Sequence, residues 1–312
     1  MNQAIPPRAA AEAETEEIFA HLSDPHLTSL AGVRPGSLLN KRLLGYLSWR
    51  VRRREEHRSE VLEALLTDLH RHHPRQVLVT GDLTHLGLPE EFSEAAAWLP
   101  RLGPPETVLL VPGNHDCYVR APWEHTFARW GDYLEGVGSE RGFPRLRRRG
   151  GLAFIGASSA RPTPPFLATG SLGRDQLRRL EHLLREAGEA GLVRILLIHH
   201  PPLAETVRWR KRLTDAPALR ALLARTGVEL VLHGHAHRST LGELPTPRGR
   251  APVIGVPSAS AMGHKPGRRA RYHLCRVHGE RGARRLEVVV RGYEPSRGAF
   301  VEVERRSLPL PG

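Results

Sequence analysis

Residues 76–84, QVLVTGDLT, contain an apolar run that ends in a glycine and a carboxylate. The run follows a His-Pro pair and stops at Gly81, a pattern that predicts a short buried strand. In α/β sheets the functional groups lie at the carboxyl ends of the strands, so Asp82 stands where a site is expected. An aspartate has two oxygens that can serve different cations. The question is therefore whether the chain supplies ligands for two metal ions.

A second apolar run, 18–22, is followed by Asp24 and His26. The two residues are two positions apart, so in extended backbone their side chains point to the same side. A carboxylate and an imidazole at one strand end form half of a metal site. Taken alone, the motif favours a polar turn, because Asp-Pro is common in turns.

A third run, 107–111, leads to Pro-Gly-Asn-His-Asp at 112–116. The amide oxygen of Asn114 suits a hard cation. His115 is a candidate proton donor, with Asp116 as the group that orients it. An isolated Gly-Asn pair would favour a plain turn.

Two later runs end in histidines. The run 193–198 delivers His199 and His200, which two prolines follow, and the run 228–232 delivers His235 and His237. The spacing of His235 and His237 predicts two imidazoles with one orientation, and the preceding Gly234 allows the backbone to approach closely.

Together these strand ends predict one composite metal site. Nitrogen and oxygen ligands without a thiolate suit Mn, Fe, Zn or Co. One shared aspartate and three further ligands on each side fit two divalent ions roughly 3.5–4 Å apart. The candidate ligands are Asp24, His26, Asp82, Asn114, one histidine of the 199/200 pair, His235 and His237.

In these motifs the chain resembles the calcineurin-like metallophosphoesterase superfamily, whose ordered pattern is D-x-H, G-D, G-N-H-D, H and G-H-x-H. The resemblance runs from about residue 17 to about residue 260. His-His-Pro at 199–201 and Pro-Ser-Ala-Ser at 257–260 favour the bacterial branch that includes class III cyclic-nucleotide phosphodiesterases and glycerophosphodiesterases. The resemblance implies an α/β fold, a four-layer α/β/β/α sandwich of two mixed sheets flanked by helices.

The resemblance also implies how the ligands are shared. One metal would take Asp24, His26, Asp82 and His237; the other would take Asp82, Asn114, His235 and His199, with His200 as the alternative to His199. A metal-bridging hydroxide would attack the phosphorus of a phosphodiester or phosphomonoester. His115 would stabilise the developing charge or protonate the leaving group, with Asp116 fixing its orientation.

Residues 38–58, LLNKRLLGYLSWRVRRREEHR, form a basic amphipathic insertion that the superfamily pattern lacks. We expect a helix whose apolar side packs on the domain while its arginines face solvent. The alternative is a lid or a docking segment for an anionic membrane surface or another polyanion.

The remaining pattern predicts helices at 55–70, 89–99, 172–187 and 217–226, and one more within 121–150, where the arginines at 145–149 would form a solvated face. A strand is predicted at 152–157. Consecutive antiparallel strands are predicted at 253–256, 272–277, 286–290 and 299–303. We expect a flexible leader at 1–15 and a single domain over 16–312.

Composition narrows the class of partner. The net charge is +13, which fits an arginine-rich composition as well as a phosphate-bearing partner. Two cysteines, Cys117 and Cys275, make no disulfide framework and favour a reducing compartment. The N-terminus lacks the features of a signal peptide, and no apolar run of about 18 residues occurs. We expect a cytoplasmic protein, with peripheral membrane attachment as the alternative.

The leading functional prediction is hydrolysis of a small phosphate ester, such as a cyclic nucleotide, or of a lipid head group. A nuclease is the second prediction, given the charge, and would show steeply salt-dependent binding of nucleic acid. A non-catalytic scaffold that binds membranes or a protein is the third. It is the least favoured because such proteins lose ligands, whereas every ligand of the pattern is present here.

Overall fold

Two six-stranded sheets pack face to face at the centre of the protein, in a computed structural model that describes residues 17–27, 30–52, 54–134, 142–264 and 267–312. The predicted leader at 1–15 lies outside the described residues. The strands are β1 (Glu17–Leu22), β2 (Gln76–Val79), β3 (Val108–Leu110), β4 (Arg145–Arg149), β5 (Leu152–Ala157), β6 (Val193–Ile198), β7 (Leu230–His233), β8 (Thr240–Thr246), β9 (Gly249–Gly255), β10 (Arg271–His278), β11 (Arg285–Glu294) and β12 (Ala299–Pro309).

Both sheets are mixed. The first has the order β12-β11-β10-β1-β2-β3, with β1, β2 and β3 parallel and β10 to β12 antiparallel. The second has the order β4-β5-β6-β7-β9-β8, with β5, β6, β7 and β9 parallel and an antiparallel strand at each edge. The carboxyl ends of the parallel strands in both sheets carry the predicted ligand motifs.

Helices cover the outer faces. They are α1 (Arg42–Arg52), α2 (Ser59–His72), α3 (Pro89–Leu102), α4 (Arg174–Glu189) and α5 (Ala216–Thr226). Apolar residues of α2 and α3 pack on the first sheet, and those of α4 and α5 pack on the second. The predicted α/β/β/α sandwich is therefore confirmed.

Side chains alternate between the layers, as the period of two along a strand requires. In β1, Phe19 enters the core between the sheets, whereas Ala20 and Leu22 face the helices. In β2, Leu78 points inward between Val77 and Val79, which point outward. Strands buried on both faces explain the nearly continuous apolar runs in the sequence.

Three local predictions differ from the structure. The helix predicted within 121–150 is replaced by 3-10 helices at Trp123–His125 and Phe127–Tyr133, because Gly131 has a φ of 44° that an α-helix does not accommodate. The arginine run 145–149 is β4, an edge strand paired with β5, and Arg145 is buried. The strand predicted at 253–256 belongs to β9, which pairs parallel with β7 and antiparallel with β8 in the second sheet and does not join the group of β10 to β12.

A buried ion pair ties α2 to the first sheet and gives a stability prediction. Arg291 donates Nε to Asp68 Oδ2 at 2.8 Å and Nη2 to Oδ1 at 2.7 Å, and the Tyr272 hydroxyl donates to Oδ2 at 2.7 Å. Asp68→Ala leaves the largely buried Arg291 without its carboxylate partner, so we expect a loss of about 3 kcal/mol in the free energy of unfolding.

The matched control lies on the same helix. Glu63 pairs with Arg101, but both side chains are about half exposed (55% and 47%). Glu63→Ala is expected to cost under about 1 kcal/mol. Denaturant unfolding of both variants checks the prediction, and equal losses would contradict it.

Candidate metal centre

The turns after β1, β2, β6 and β7 place carboxylate and imidazole side chains in two adjoining clusters. Asp24, His26, Asp82 and His237 offer ligand atoms that all lie within 4.8 Å of one another, and Asp82, His199 and His235 do the same. Asp82 belongs to both clusters. The structure therefore brings together the sets of residues that the sequence predicts for two ions.

Asn114 lies at the second cluster. Its Oδ1 is 3.2 Å from His199 Nε2, and its side chain is almost fully buried. All seven predicted ligands thus converge on one place. Their roles as metal ligands stay predictions. Whether a metal ion fits depends on the chemistry of the atoms that the clusters bring together.

That fit is good, because the inward atoms lack hydrogen-bond partners. Asp24 Oδ1, His26 Nε2 and Asp82 Oδ2 are buried without a hydrogen bond. His237 Nε2 is 3.1 Å from Asp24 Oδ1, and His199 Nε2 is 3.3 Å from Asp82 Oδ2. Two ligands about 2.1 Å from one ion, at right angles to each other, would be roughly 3 Å apart. Unpaired buried polar atoms are costly, and a divalent ion in each cluster would satisfy them.

The backbone is held in an uncommon conformation at these residues. Eight non-glycine residues of the described chain have a positive φ, and five of them are Asp24, His26, Asp82, His235 and His237. Each such residue costs about 1–3 kcal/mol, and this kind of strain concentrates at functional sites. The extended backbone assumed for Asp24 and His26 is wrong, although both side chains reach the same cluster. The prediction that His235 and His237 share one orientation is wrong. The left-handed turns instead send His235 and His237 to different clusters.

Backbone carbonyls fix the histidine tautomers. His26 Nδ1 is 2.8 Å from the Thr84 carbonyl oxygen, and His199 Nδ1 is 2.6 Å from that of Thr80. A carbonyl only accepts, so these Nδ1 atoms carry the proton and Nε2 is left to bind a cation. Histidine ligands in metal sites commonly donate their other N–H in this way.

The same reasoning separates His199 from His200. His200 Nδ1 is 2.8 Å from Ser159 Oγ, and its Nε2 is 3.2 Å from the Ala168 carbonyl oxygen, so both ring nitrogens contact groups outside the clusters. Its ring packs 5.0 Å from the His199 ring. The geometry favours His199 as the ligand and His200 as its support.

The protonation states of the histidines and the charge of Asp82 are compatible with a bound cation. Burial and the neighbouring His57, His85 and His115 hold the pKa of His26 well below its usual range, so its imidazole is neutral. Burial also disfavours charge on His199, but the Asp82 carboxylate outweighs it and raises the pKa of His199 to about 9. A bound divalent ion would replace that proton, since imidazole ligands bind in the neutral form.

Asp82 is anchored by one of its oxygens. Oδ1 accepts a hydrogen bond from the His115 backbone N–H at 2.7 Å, which leaves Oδ2 as the oxygen without a partner. Oδ2 is therefore the oxygen of Asp82 that would be available to an ion in either cluster. A Cβ on Gly113 would lie 2.1 Å from Asp82 Oδ1, so only glycine fits beside this carboxylate.

Asp116 has a different role from the one predicted. Its carboxylate accepts hydrogen bonds from the backbone N–H groups of Asp82, Thr84 and Gly113 at 2.9–3.0 Å, and joins the two ligand loops. Burial, with the charge of Asp82 second, raises the pKa of Asp116 to about 7. The prediction that Asp116 orients the His115 ring is wrong, because the saturated carboxylate positions backbone.

The His115 ring is oriented by a carbonyl. Its Nδ1 lies 2.6 Å from the His85 carbonyl oxygen, and its ring is 5.0 Å from the His26 ring and 5.7 Å from the Tyr118 ring. His115 is partly exposed, in contrast to the buried His26. This places an imidazole at the mouth of the first cluster.

Two histidines of the site were missed from the sequence. His57, at the end of the basic insertion, forms a further group of ligand atoms with His26 and His237, and its Nδ1 is 2.8 Å from Ser260 Oγ. His85 stacks on His26 with ring centroids 4.8 Å apart. Neither belongs to the motif pattern, and the pairing of 57 with 261 helps to bring His57 to the centre.

Two clusters that share a carboxylate, at the strand ends of a layered α/β fold, are typical of hydrolases with two divalent ions. The family model of the calcineurin-like phosphoesterases matches residues 18–239. The chain belongs to this family, as the sequence motifs predicted.

Two relatives share substantial sequence with the chain. It is 28% identical over 206 residues to a probable cyclic nucleotide phosphodiesterase from Synechococcus sp., a match that covers 65% of this chain and 72% of the relative. It is 30% identical over 190 residues to another from Rhodopseudomonas palustris, which covers 59% of this chain and 65% of the relative. The second match thus spans just under two thirds of that relative's length.

Solved structures share the fold. A dimetal phosphatase from Danio rerio has a TM-score of 0.63 at 12% identity, with 94% of this chain and 98% of that chain covered. A purple acid phosphatase from yellow lupin (Lupinus luteus) seeds has a TM-score of 0.55 at 11% identity, with 95% of this chain and 54% of that chain covered. At these identities the likeness establishes the common fold.

Proposed function

We propose that the protein hydrolyses phosphodiesters with two divalent ions bound between Asp24, His26, Asp82, Asn114, His199, His235 and His237. The observation that carries this proposal is Asp82, which lies in both clusters with one carboxylate oxygen unpaired. Manganese, iron, zinc and cobalt all suit these ligands. When bound, the ions would lower the pKa of a coordinated water and neutralise charge on the phosphate oxygens.

The chain's own residues supply orientation and a proton. His115 carries a proton on Nδ1, which is held against the His85 carbonyl oxygen. Its Nε2 is the atom from which a second proton would pass to the leaving oxygen of the ester. Asp116 keeps this loop against the Asp82 loop, so His115 and the ligands stay in register.

A diester is favoured over a monoester by the names of the two relatives, both probable cyclic nucleotide phosphodiesterases. His57, His115 and His237 are partly exposed around the buried His26, so this group of imidazoles is where an anionic ester would enter.

Turnover after metal exchange tests the proposal. The purified protein is stripped with a chelator, reloaded separately with Mn²⁺, Zn²⁺ or Co²⁺, and assayed with bis-p-nitrophenyl phosphate, p-nitrophenyl phosphate, cyclic nucleotides and single-stranded DNA. We expect turnover of the diester that vanishes in the stripped protein and returns with metal. Turnover of no ester with any ion would overturn the proposal, and cleavage of DNA alone would support the nuclease prediction instead.

A further inference from the structure

The outer side of α1 carries a row of exposed apolar side chains. Leu43, Leu47 and Val51 recur every four residues, and Leu44 lies beside them, so the four share one side of the helix. All four are exposed, Val51 by 79%. A surface helix normally turns its polar side to water. The sequence prediction that the apolar side of this segment packs on the domain is therefore wrong for these residues.

The opposite side of α1 fixes the helix next to the metal centre. Trp49 is buried among Leu86, Leu88 and other apolar residues, and its ring lies 6.4 Å from the His85 ring. Arg42 donates Nε to the Leu86 carbonyl oxygen at 3.0 Å. These partners belong to the loop that follows Asp82, so α1 and its exposed row are attached to the site.

An exposed aromatic residue lies in a loop attached to the start of α1. Phe166 is 78% exposed. Lys41 Nζ donates to the carbonyl oxygen and to the hydroxyl oxygen of Thr163, both at 3.0 Å, and to the Leu167 carbonyl oxygen at 3.4 Å. The Phe166 loop is therefore held against the first residues of the helix.

The exposed row of α1 and the Phe166 loop form one continuous edge, which we call the rim. A second exposed aromatic residue continues it. Trp209 is 64% exposed, and the Ala168 N–H donates to the neighbouring Arg210 carbonyl oxygen at 2.9 Å. The next carbonyl, that of Lys211, lies 2.9 Å from Nε2 of the predicted ligand His235. Seven of the ten large apolar residues that are exposed in the described chain lie on this rim: Leu39, Leu43, Leu44, Leu47, Val51, Phe166 and Trp209.

The charge of the segment specifies the partner. Residues 34–54 contain seven arginines and lysines and no aspartate or glutamate. Arg50 and Arg54 are exposed beside the apolar row. No helix in the described ranges is long and apolar enough to cross a bilayer. A short helix with apolar residues outward and arginines beside them fits the interface of an anionic membrane, where it would lie flat.

We propose that α1, Phe166 and Trp209 form a docking surface for an anionic phospholipid bilayer, and that the metal centre acts on phosphate esters held in that bilayer. The docking surface is argued from the exposed rim and does not depend on the proposed function. The substrate part rests on the proposed function, because it needs the centre to hydrolyse esters.

Vesicle sedimentation tests docking. The intact protein is mixed with vesicles of phosphatidylcholine, with or without phosphatidylglycerol. We expect binding to the mixed vesicles that weakens with salt, and little binding to phosphatidylcholine alone. Leu43→Gln with Leu47→Gln is expected to lower the partition coefficient about tenfold or more, because two apolar contacts with the bilayer are lost. Arg50→Glu with Arg54→Glu should lower it by a similar factor.

The matched control changes two equally exposed apolar residues elsewhere. Leu241 is 46% exposed and Val303 48%, close to the 48% of both Leu43 and Leu47. Leu241→Gln with Val303→Gln should bind vesicles like the parent. Absence of binding by the parent, or equal loss in the control, would overturn the docking surface. A dimer that the Leu43/Leu47 variant abolishes, without vesicle binding, would assign the surface to a second copy of the chain.

Enzyme assays separate the two parts. The Leu43/Leu47 variant should turn over bis-p-nitrophenyl phosphate at the parent rate but lose the parent's preference for a long-chain phospholipid in vesicles over its soluble short-chain homologue. Vesicle binding without turnover of any ester would refute the proposed function and leave docking intact. Turnover with equal rates on the two homologues would refute the membrane substrate.

Discussion

Replacing Asp82 with alanine is expected to lower the metal content of the purified protein from two ions per chain to less than one. Asp82 lies in both clusters, so its loss takes one ligand from each ion and also the negative charge between them. Loss of the ions removes several kcal/mol of charge stabilisation in the transition state, so turnover should fall by about 10³-fold or more. Elemental analysis and diester hydrolysis measure the two effects.

The neighbouring Asn114 gives the matched comparison. It lies near His199 in the second cluster only, so Asn114→Ala should retain the ion held by Asp24 and His26. We expect about one ion per chain in that variant. Asp82→Asn controls for folding, because its amide oxygen still accepts from the His115 N–H while the charge is gone. Two ions and unchanged hydrolysis in Asp82→Ala would refute the shared ligand.

How far the centre can be predicted from sequence depends on which residues follow strands. Asp24, Asp82 and His235 end apolar runs, and parallel strands bring their carboxyl ends together, so their convergence follows from pattern alone. The backbone conformation that points these side chains into the clusters cannot be predicted from the pattern. A left-handed φ at Asp24 or His235 is imposed by packing of the turns, and a propensity argument predicts it mainly for glycine.

The layers of the fold were predictable for the same reason. Apolar runs such as 193–198 are long enough for a buried strand and too short for a helix. The segments between these runs show the spacing of apolar residues that is typical of helices. The arginine strand β4 was not predictable, since its residues carry no apolar alternation and its conformation comes from hydrogen bonds to β5. In α1, spacing indicated a helix but could not tell which apolar residues face the domain, because Trp49 and Leu47 look equally apolar.

His57 and Asp116 show where tertiary contacts decide function. His57 is 203 residues from Ser260, whose hydroxyl contacts its Nδ1. The local sequence around His57 therefore does not predict that it lies in the site. Asp116 stands next to His115 in sequence, which suggested a pair, yet its oxygens are occupied by three backbone N–H groups. The Thr84 hydroxyl also donates to Oδ1, at 3.1 Å, so all four lone pairs of this carboxylate are used and none is left for a neighbouring imidazole.

Replacing His115 with alanine is expected to leave both ions in place while turnover falls about 10²–10⁴-fold, the usual contribution of a positioned proton donor. The backbone N–H of residue 115, which donates to Asp82 Oδ1, survives the substitution, so the metal clusters keep their geometry. Elemental analysis together with kcat for the diester separates this outcome from a ligand role. Loss of metal in proportion to activity would show that His115 binds an ion.

The identity of the leaving group sharpens this prediction further. If His115 donates a proton to the leaving oxygen, its removal should cost most with a poor leaving group such as an alkoxide. It should cost little with p-nitrophenolate, which departs without a proton. His125→Ala controls for the loss of a histidine in the same segment, because His125 is exposed and outside the clusters. An equal loss for both leaving groups would assign His115 to stabilising charge on the phosphate, since that contact acts on every ester alike.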